Sequence, residues 1–182
     1  MRRRFAQAIS EGDGISLLAT VSDVDDARSA ADEGAEGLVV AADLPGLRDA
    51  TELPILSAAP SAPAGASADA WLLAVDGFEG EVERLHEQAR DAGLECVVAV
   101  ADEDELRLAL DRLDPEIFLL TGKELDHVLS LLPDVPAGKL AVAEVDLRGR
   151  DDVAELERAG VDAVIVRATD VSGLSAEPQP EP

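Results

Sequence analysis

A compact α/β fold, a (β/α)8 TIM barrel with shortened or missing helices, is what this sequence predicts, and three observations predict it. Short apolar runs rich in β-branched residues recur along the chain, as parallel strands buried on both faces require. Charged amphipathic segments of helical period separate them. Three stretches, Asp23 to Val40, Asp102 to Leu120 and Asp151 to Val166, each run from an acidic cap through an Ala/Leu helix to an apolar strand, which suggests a repeated unit. Eight such strands over 182 residues leave about 23 residues per unit, where barrels usually have about 30 or more. A doubly wound open parallel sheet is the alternative. It fits the length more comfortably but leaves two or three strand runs unassigned.

The elements follow in order. Phe5 to Ser10 forms a lead-in helix, and Ile15 to Val21 the first strand. Ser22 or Asp23 caps a helix through Ala31, and Gly37 to Ala42 is the second strand. A very short helix around Leu47 to Thr51 leads to a third strand, Pro54 to Ser57. Ala58 to Ala68, rich in Ala, Ser, Pro and Gly, reads as a loop whose usual helix is mostly lost. Ala70 to Val75 is the fourth strand, Gly80 to Ala92 the clearest helix, and Leu94 to Val100 the fifth strand. The acidic run from Asp102 to Glu105 opens the next helix, where it suits the dipole, and Asp114-Pro115 ends it. Glu116 to Leu120 is the sixth strand and Lys123 to Leu132 the sixth helix. Lys139 to Thr169 supplies strand, helix and strand, the helix closing at Gly160. Asp170 to Leu174 is a final helical stub. Residues 1–174 are read as one barrel and residues 175–182 as a flexible polar tail.

Charge bounds the function. Fifteen Lys and Arg against 39 Asp and Glu give a net charge of −24, which repels nucleic acid and anionic membrane. Aromatic residues are only 2%, too few for a stacking platform. Cys96 has no partner within the chain and reads as a small buried hydrophobe. No run is long enough to span a membrane and no signal core follows Met1, so a cytoplasmic location is expected. Lost outer helices would bare strand faces, so both monomer and homodimer stay open.

In either fold the chemistry belongs where strands end and helices begin. Those ends offer Thr20, Ser22, Asp43, Ser57, Asp76, Ala99, Ala101, Thr121, Gly122, Glu144, Asp146, Arg167 and Thr169. Glu144 and Asp146 alternate onto one side of a strand, and a barrel interior would desolvate Glu144 and raise its pKa. The structural alternative is an interior Glu144 paired with Arg167 or another basic residue. There is no Gly-x-Ser-x-Gly, P-loop or Gly-x-Gly-x-x-Gly. His86 and His127 fall within helices and read as surface residues, and one Cys with two separated His makes zinc a poor fit. No metal and no cofactor are expected. Lys123 stands just past a strand end, within reach of an anion or simply exposed.

The chain resembles indole-3-glycerol-phosphate synthase, most clearly from Gly93 to Thr169. Gly93-Leu-Glu-Cys-Val-Val-Ala-Val100 followed by Asp-Glu-Asp-Glu-Leu106 looks like that family's fifth strand and helix. Leu119-Leu-Thr-Gly-Lys-Glu-Leu125 looks like its Ile-Asn-Asn-Arg-Asp-Leu segment. Ala143-Glu-Val-Asp-Leu-Arg-Gly-Arg-Asp-Asp-Val153 and Gly160-Val-Asp-Ala-Val-Ile-Val166 resemble its last two strand blocks. The resemblance implies a barrel that makes tryptophan precursors by decarboxylating ring closure of carboxyphenylamino deoxyribulose phosphate. It also implies that most of the reacting groups are replaced. The family's first-strand Glu and Lys fall at Thr20 and Ser22, its third-strand Lys at or beside Ala58, its fifth-strand Glu at Ala99 and its sixth-strand Asn at Thr121. Its seventh-strand Glu is kept as Glu144, while the following Ser and Gly become Val145 and Asp146. The eighth-strand Gly and Ser become Arg167 and Thr169.

The reading is therefore a barrel of this kind with weak or absent activity, a pseudoenzyme candidate. Glu144 is its acid–base residue, and Thr121, Asp146, Arg167 and Thr169 bind substrate. The expected partner is a small phosphorylated or anionic metabolite. Two alternatives stand beside it: a non-catalytic binding or scaffold barrel, and another lyase or isomerase using Glu144 and Asp146 with a metal such as Mg²⁺.

Overall fold

A computed structural model describes residues 4–12, 14–63, 67–75 and 81–175. The elements are α1 (Arg4–Ser10), β1 (Ser16–Thr20), α2 (Val24–Asp32), β2 (Gly37–Val40), α3 (Leu47–Ala50), β3 (Ile55–Ser57), β4 (Ala70–Ala74) and α4 (Glu81–Asp91). They continue as β5 (Glu95–Val100), α5 (Glu103–Arg112), β6 (Ile117–Thr121), α6 (Leu125–Leu131), β7 (Leu140–Glu144), α7 (Arg150–Ala159), β8 (Ala163–Arg167) and α8 (Val171–Ser175). Every strand pairs in parallel with its sequence neighbours, and β1 pairs with β8, so the sheet closes into an eight-stranded barrel. Closure overturns the open-sheet alternative. Among the described residues no helix is long and apolar enough to cross a membrane.

Alternation along each strand divides two cores. Leu18, Val39, Leu56, Ala70, Val97, Ile117, Leu119, Val142, Ala163 and Ile165 fill the interior. Their neighbours, among them Leu17, Leu38, Val98, Phe118, Leu120 and Val164, pack outward against Ala27, Leu106, Val128 and Leu156 of the helices. Gly37 lets β2 lie close against β1, where a Cβ would stand 2.7 Å from a methyl of Leu18 and force it to shift. Gly160 closes α7 at φ 97°, the left-handed cap its position in the sequence predicts.

The lead-in helix has a larger role than its length suggests. Phe5, Ala6 and Ile9 of α1 join the interior core and plug the barrel's lower end. The buried carboxylate of Glu95, at the first residue of β5, accepts the backbone N–H groups of Phe5 and Ala6 at 2.7 and 3.1 Å. Two donors that no helix turn can satisfy are thereby paired inside the protein.

Between β3 and β4 no helix appears among the described residues, as the Ala/Pro-rich stretch predicts. Trp71 fills the place. It points outward with Leu73 and packs against Leu85, Ala89, Leu94 and Cys96, while its indole N–H donates to Ala59 O at 2.9 Å. Among the described residues, the outward strand side chains expected to be bare are mostly buried. Leu108, at 39%, is the exposed large hydrophobe among the described residues. Ser175, assigned to the tail, is the last residue of α8 and donates to Glu33 O at 2.7 Å. The rest of the expected tail lies outside the described residues.

The three echoing segments share one device at the upper end of the barrel. The N–H of the residue before the cap donates to a carboxylate four residues on: Ser22 to Asp26 before α2, Ala101 to Glu105 before α5, and Arg148 to Asp152 before α7. Asp23 and Asp102 complete the caps of α2 and α5 by accepting helix N–H groups. This is the capping-box logic, with the acidic side chain reaching back over the turn.

Candidate functional site

The site is the mouth formed where strands end and helices begin. Beyond Leu18, Leu119, Val142 and Ile165, the next inward positions are Thr20, Thr121, Glu144 and Arg167. Register brings them together in pairs: Thr121 is the partner of Glu144 across β6 and β7, and Thr20 of Arg167 across β1 and β8. They line a cavity of about 970 Å³ with Asp146, Leu147, Arg148, Thr169, Asp170 and the start of α8.

All five residues singled out from sequence, Glu144, Thr121, Asp146, Arg167 and Thr169, line this cavity. Three expectations about them are corrected. Glu144 is exposed at the rim and not enclosed among the interior side chains, so the desolvation expected of it is absent. It makes no ion pair with Arg167. Arg167 instead donates from Nε to Asp170 Oδ2 at 2.8 Å, and Thr169 Oγ1 donates to Asp170 Oδ1 at 3.1 Å. Asp146 does not share a strand with Glu144, because β7 stops at Glu144 and Asp146 lies in the loop beyond. Thr121 is half-buried, its hydroxyl donating to Val100 O at 3.3 Å.

The other side of the mouth is apolar. Ala58 and Ala99, the inward positions after Leu56 and Val97, pack with Leu72 against the interior core. Ser57 is buried, and Ser22 is engaged in the cap of α2 through its N–H and hydroxyl, both donating to Asp26. Asp43 is exposed beyond β2 and lines a separate small cleft. Asp76 lies outside the described residues.

Sequence reasoning passed over Arg148, Asp152 and Asp170. Asp152 is 5% exposed and accepts Arg148 N, Nε and Nη2 at 2.8, 3.0 and 2.7 Å, which fixes the loop carrying Asp146 and Leu147. The Arg148 guanidinium, then its N–H, hold the Asp152 carboxyl below the usual range. The spacings of three and four residues between these partners were the available signal. The remaining candidates lie away from the cavity. The Cys96 thiol is pushed up to about 11 by burial, the state of an inert core thiol. His86 lies part-buried on α4, where burial lowers its pKa first and Arg90 adds to the effect. His127 Nε2 lies 2.7 Å from Ala101 O, tying α6 to the loop after β5. Lys123 is exposed and does not line the cavity. Among the described residues, no three His, Cys, Asp or Glu side chains are grouped to hold a metal ion.

Comparison with known proteins agrees with this geometry. The family model described as indole-3-glycerol phosphate synthase matches residues 61–170, the span that contains β4 to β8. Proteins named indole-3-glycerol phosphate synthase are similar to the chain. That of Sulfurisphaera tokodaii is 33% identical over 56% of this chain and 44% of its own length. That of Shouchella clausii is 32% identical over 54% and 42%. That of a Nocardioides species is 34% identical over 86% of this chain and 68% of its own length. The chain thus spans less than half the length of the first two relatives. A family match over more than half of the chain, and a relative covering most of it, lead to one conclusion: the chain belongs to the indole-3-glycerol phosphate synthase family.

Proposed function

We propose that this barrel binds a small phosphorylated or anionic metabolite at its mouth and carries out the ring closure of carboxyphenylamino deoxyribulose phosphate weakly or not at all. The observation behind this reading is the pair Ala58 and Ala99. Both occupy inward strand-end positions over the interior core, and neither side chain can give or take a proton. Ring closure with loss of CO₂ and water needs a proton donor near the departing hydroxyl and a base to complete the aromatic ring. Each missing acid or base costs about 10²–10⁴ in rate. Glu144 is the one carboxylate retained from the resemblance. In this reading it acts as the acid–base residue, with Thr121, Asp146, Arg167 and Thr169 around the ligand.

The test is a turnover assay beside a calorimetric titration with the reduced substrate analogue. Turnover about 10⁴-fold or more below that of a relative bearing the Lys and Glu is expected. Analogue binding that weakens in Glu144→Gln is expected with it. Turnover within about tenfold of such a relative would refute the reading, since two missing proton-transfer groups cannot be that cheap.

A further inference from the structure

We propose that Asp170 is a specificity-determining residue that holds down the mouth's affinity for phosphate by occupying Arg167. The inference rests on the mouth being the ligand site, and on nothing about ring closure. Arg167 is the inward residue at the end of β8, and its side chain is 82% exposed at the cavity. It stands beside Thr20 in register, where an incoming anion would meet it. Its Nε is already held by Asp170 Oδ2 at 2.8 Å, and Thr169 fixes the other carboxylate oxygen at 3.1 Å. The cavity's second cation, Arg148, is engaged more completely, through both Nε and Nη2, by Asp152.

The two arginines among the residues lining the cavity are thus both paired, while Glu144 and Asp146 stand exposed with no ion pair among the described residues. The turns before α2, α5 and α7 are closed by their own carboxylates, and at the start of α8 the Ser172 N–H donates to Glu33 Oε2 at 3.3 Å. A phosphate entering the mouth must displace Asp170 from Arg167 or share the guanidinium with it. Of the two clasps, Asp170 is the one to release. It holds Arg167 through a single nitrogen, whereas Asp152 also anchors a backbone N–H.

The experiment is a ³¹P NMR titration of the folded protein with inorganic phosphate at low ionic strength. It compares the parent, Asp170→Asn, Asp146→Asn, and Asp170→Asn combined with Arg167→Ala. An exposed pair competes only modestly, so Asp170→Asn is expected to bind phosphate about two- to fivefold more tightly. Asp146→Asn, which removes the same charge from the same cavity but frees no arginine, is expected to gain less. The gain should vanish when Arg167→Ala is added. Asp170→Ser serves as a second release variant if the asparagine disturbs the turn into α8. No gain in either variant, an equal gain in Asp146→Asn, or a gain that survives loss of Arg167 would overturn the proposal. Inorganic phosphate undergoes no ring chemistry, so these outcomes are read separately from turnover.

Discussion

The carboxylate of Glu95 reaches the start of α1 across the floor of the barrel and accepts the N–H of Phe5 at 2.7 Å. With the Ala6 N–H at 3.1 Å it anchors the helix that inserts Phe5 and Ile9 into the interior core. Truncation by Glu95→Ala leaves two buried donors unpaired and loosens the plug. A loss of about 2–4 kcal/mol in urea unfolding is expected, with about half of that for Glu95→Gln, which keeps one acceptor oxygen. A loss below about 0.5 kcal/mol in the alanine variant would mean that the apolar contacts of α1 hold it without the carboxylate.

Trp71 carries a similar load on the outer face. It is 1% exposed and packs outside β4, where among the described residues no helix stands between β3 and β4. Trp71→Ala should cost about 3–5 kcal/mol, as large buried aromatics do. Trp71→Phe keeps most of the packing and loses the hydrogen bond to Ala59 O, so about 1–2 kcal/mol is expected. Equal losses in the two variants would assign the effect to the hydrogen bond and not to the covering ring.

These two residues also mark where sequence reading stops. The strands were legible because parallel barrel strands are apolar on both faces, and runs such as Ala163–Val166 need no partner to be recognised. The caps at Asp23 and Asp102 were legible because a side-chain acceptor and its N–H groups lie within three residues. Glu95 was not, since its partner is 90 residues away and only closure of the barrel joins them. At the mouth, the residues at the strand ends could be named, but not their depth. Glu144 follows the buried Ala143 directly yet stands exposed, because β7 ends there. The choice of Asp170 by Arg167, over Glu144, depends on the turn that follows β8.

Two carboxylates give pH effects of opposite sign. Asp162 accepts the Ala141 N–H at 2.7 Å, but burial, the larger influence, pushes its carboxyl above the usual value of 3.8. A raised carboxyl favours the folded state fully below about 3.8, and that contribution is lost as pH rises through the folded value. Asp152, held below 3.8 by Arg148, contributes above that value, and its contribution is lost as pH falls through the lower folded one. Asp162→Asn keeps an acceptor for Ala141 and removes a desolvated charge. It should be at least as stable as the parent at pH 7, and its advantage in melting temperature should shrink as pH is lowered toward 4. An advantage that grows on acidification would reverse the assigned sign.

The proposal for Ala58 and Ala99 can be tested by introducing the proton-transfer groups there. Ala58 and Ala99 face inward on β5 and just past β3, packed with Leu72 on the apolar side of the mouth, while Glu144 stands on the polar side. Ala58→Lys supplies a cation and proton donor, and Ala99→Glu supplies a base that also neutralises the new charge. Introduced singly, each places an unpaired charge against the apolar floor and should give little activity. Together they compensate, and turnover of the carboxyphenylamino substrate is expected to rise about 10²-fold or more over the parent. Melting curves confirm that the double variant is folded before the assay is read. A folded double variant with unchanged turnover would mean that these two groups do not limit the reaction. Substrate placement by Asp146 and Arg167, where the resemblance implies Gly, would then be the barrier.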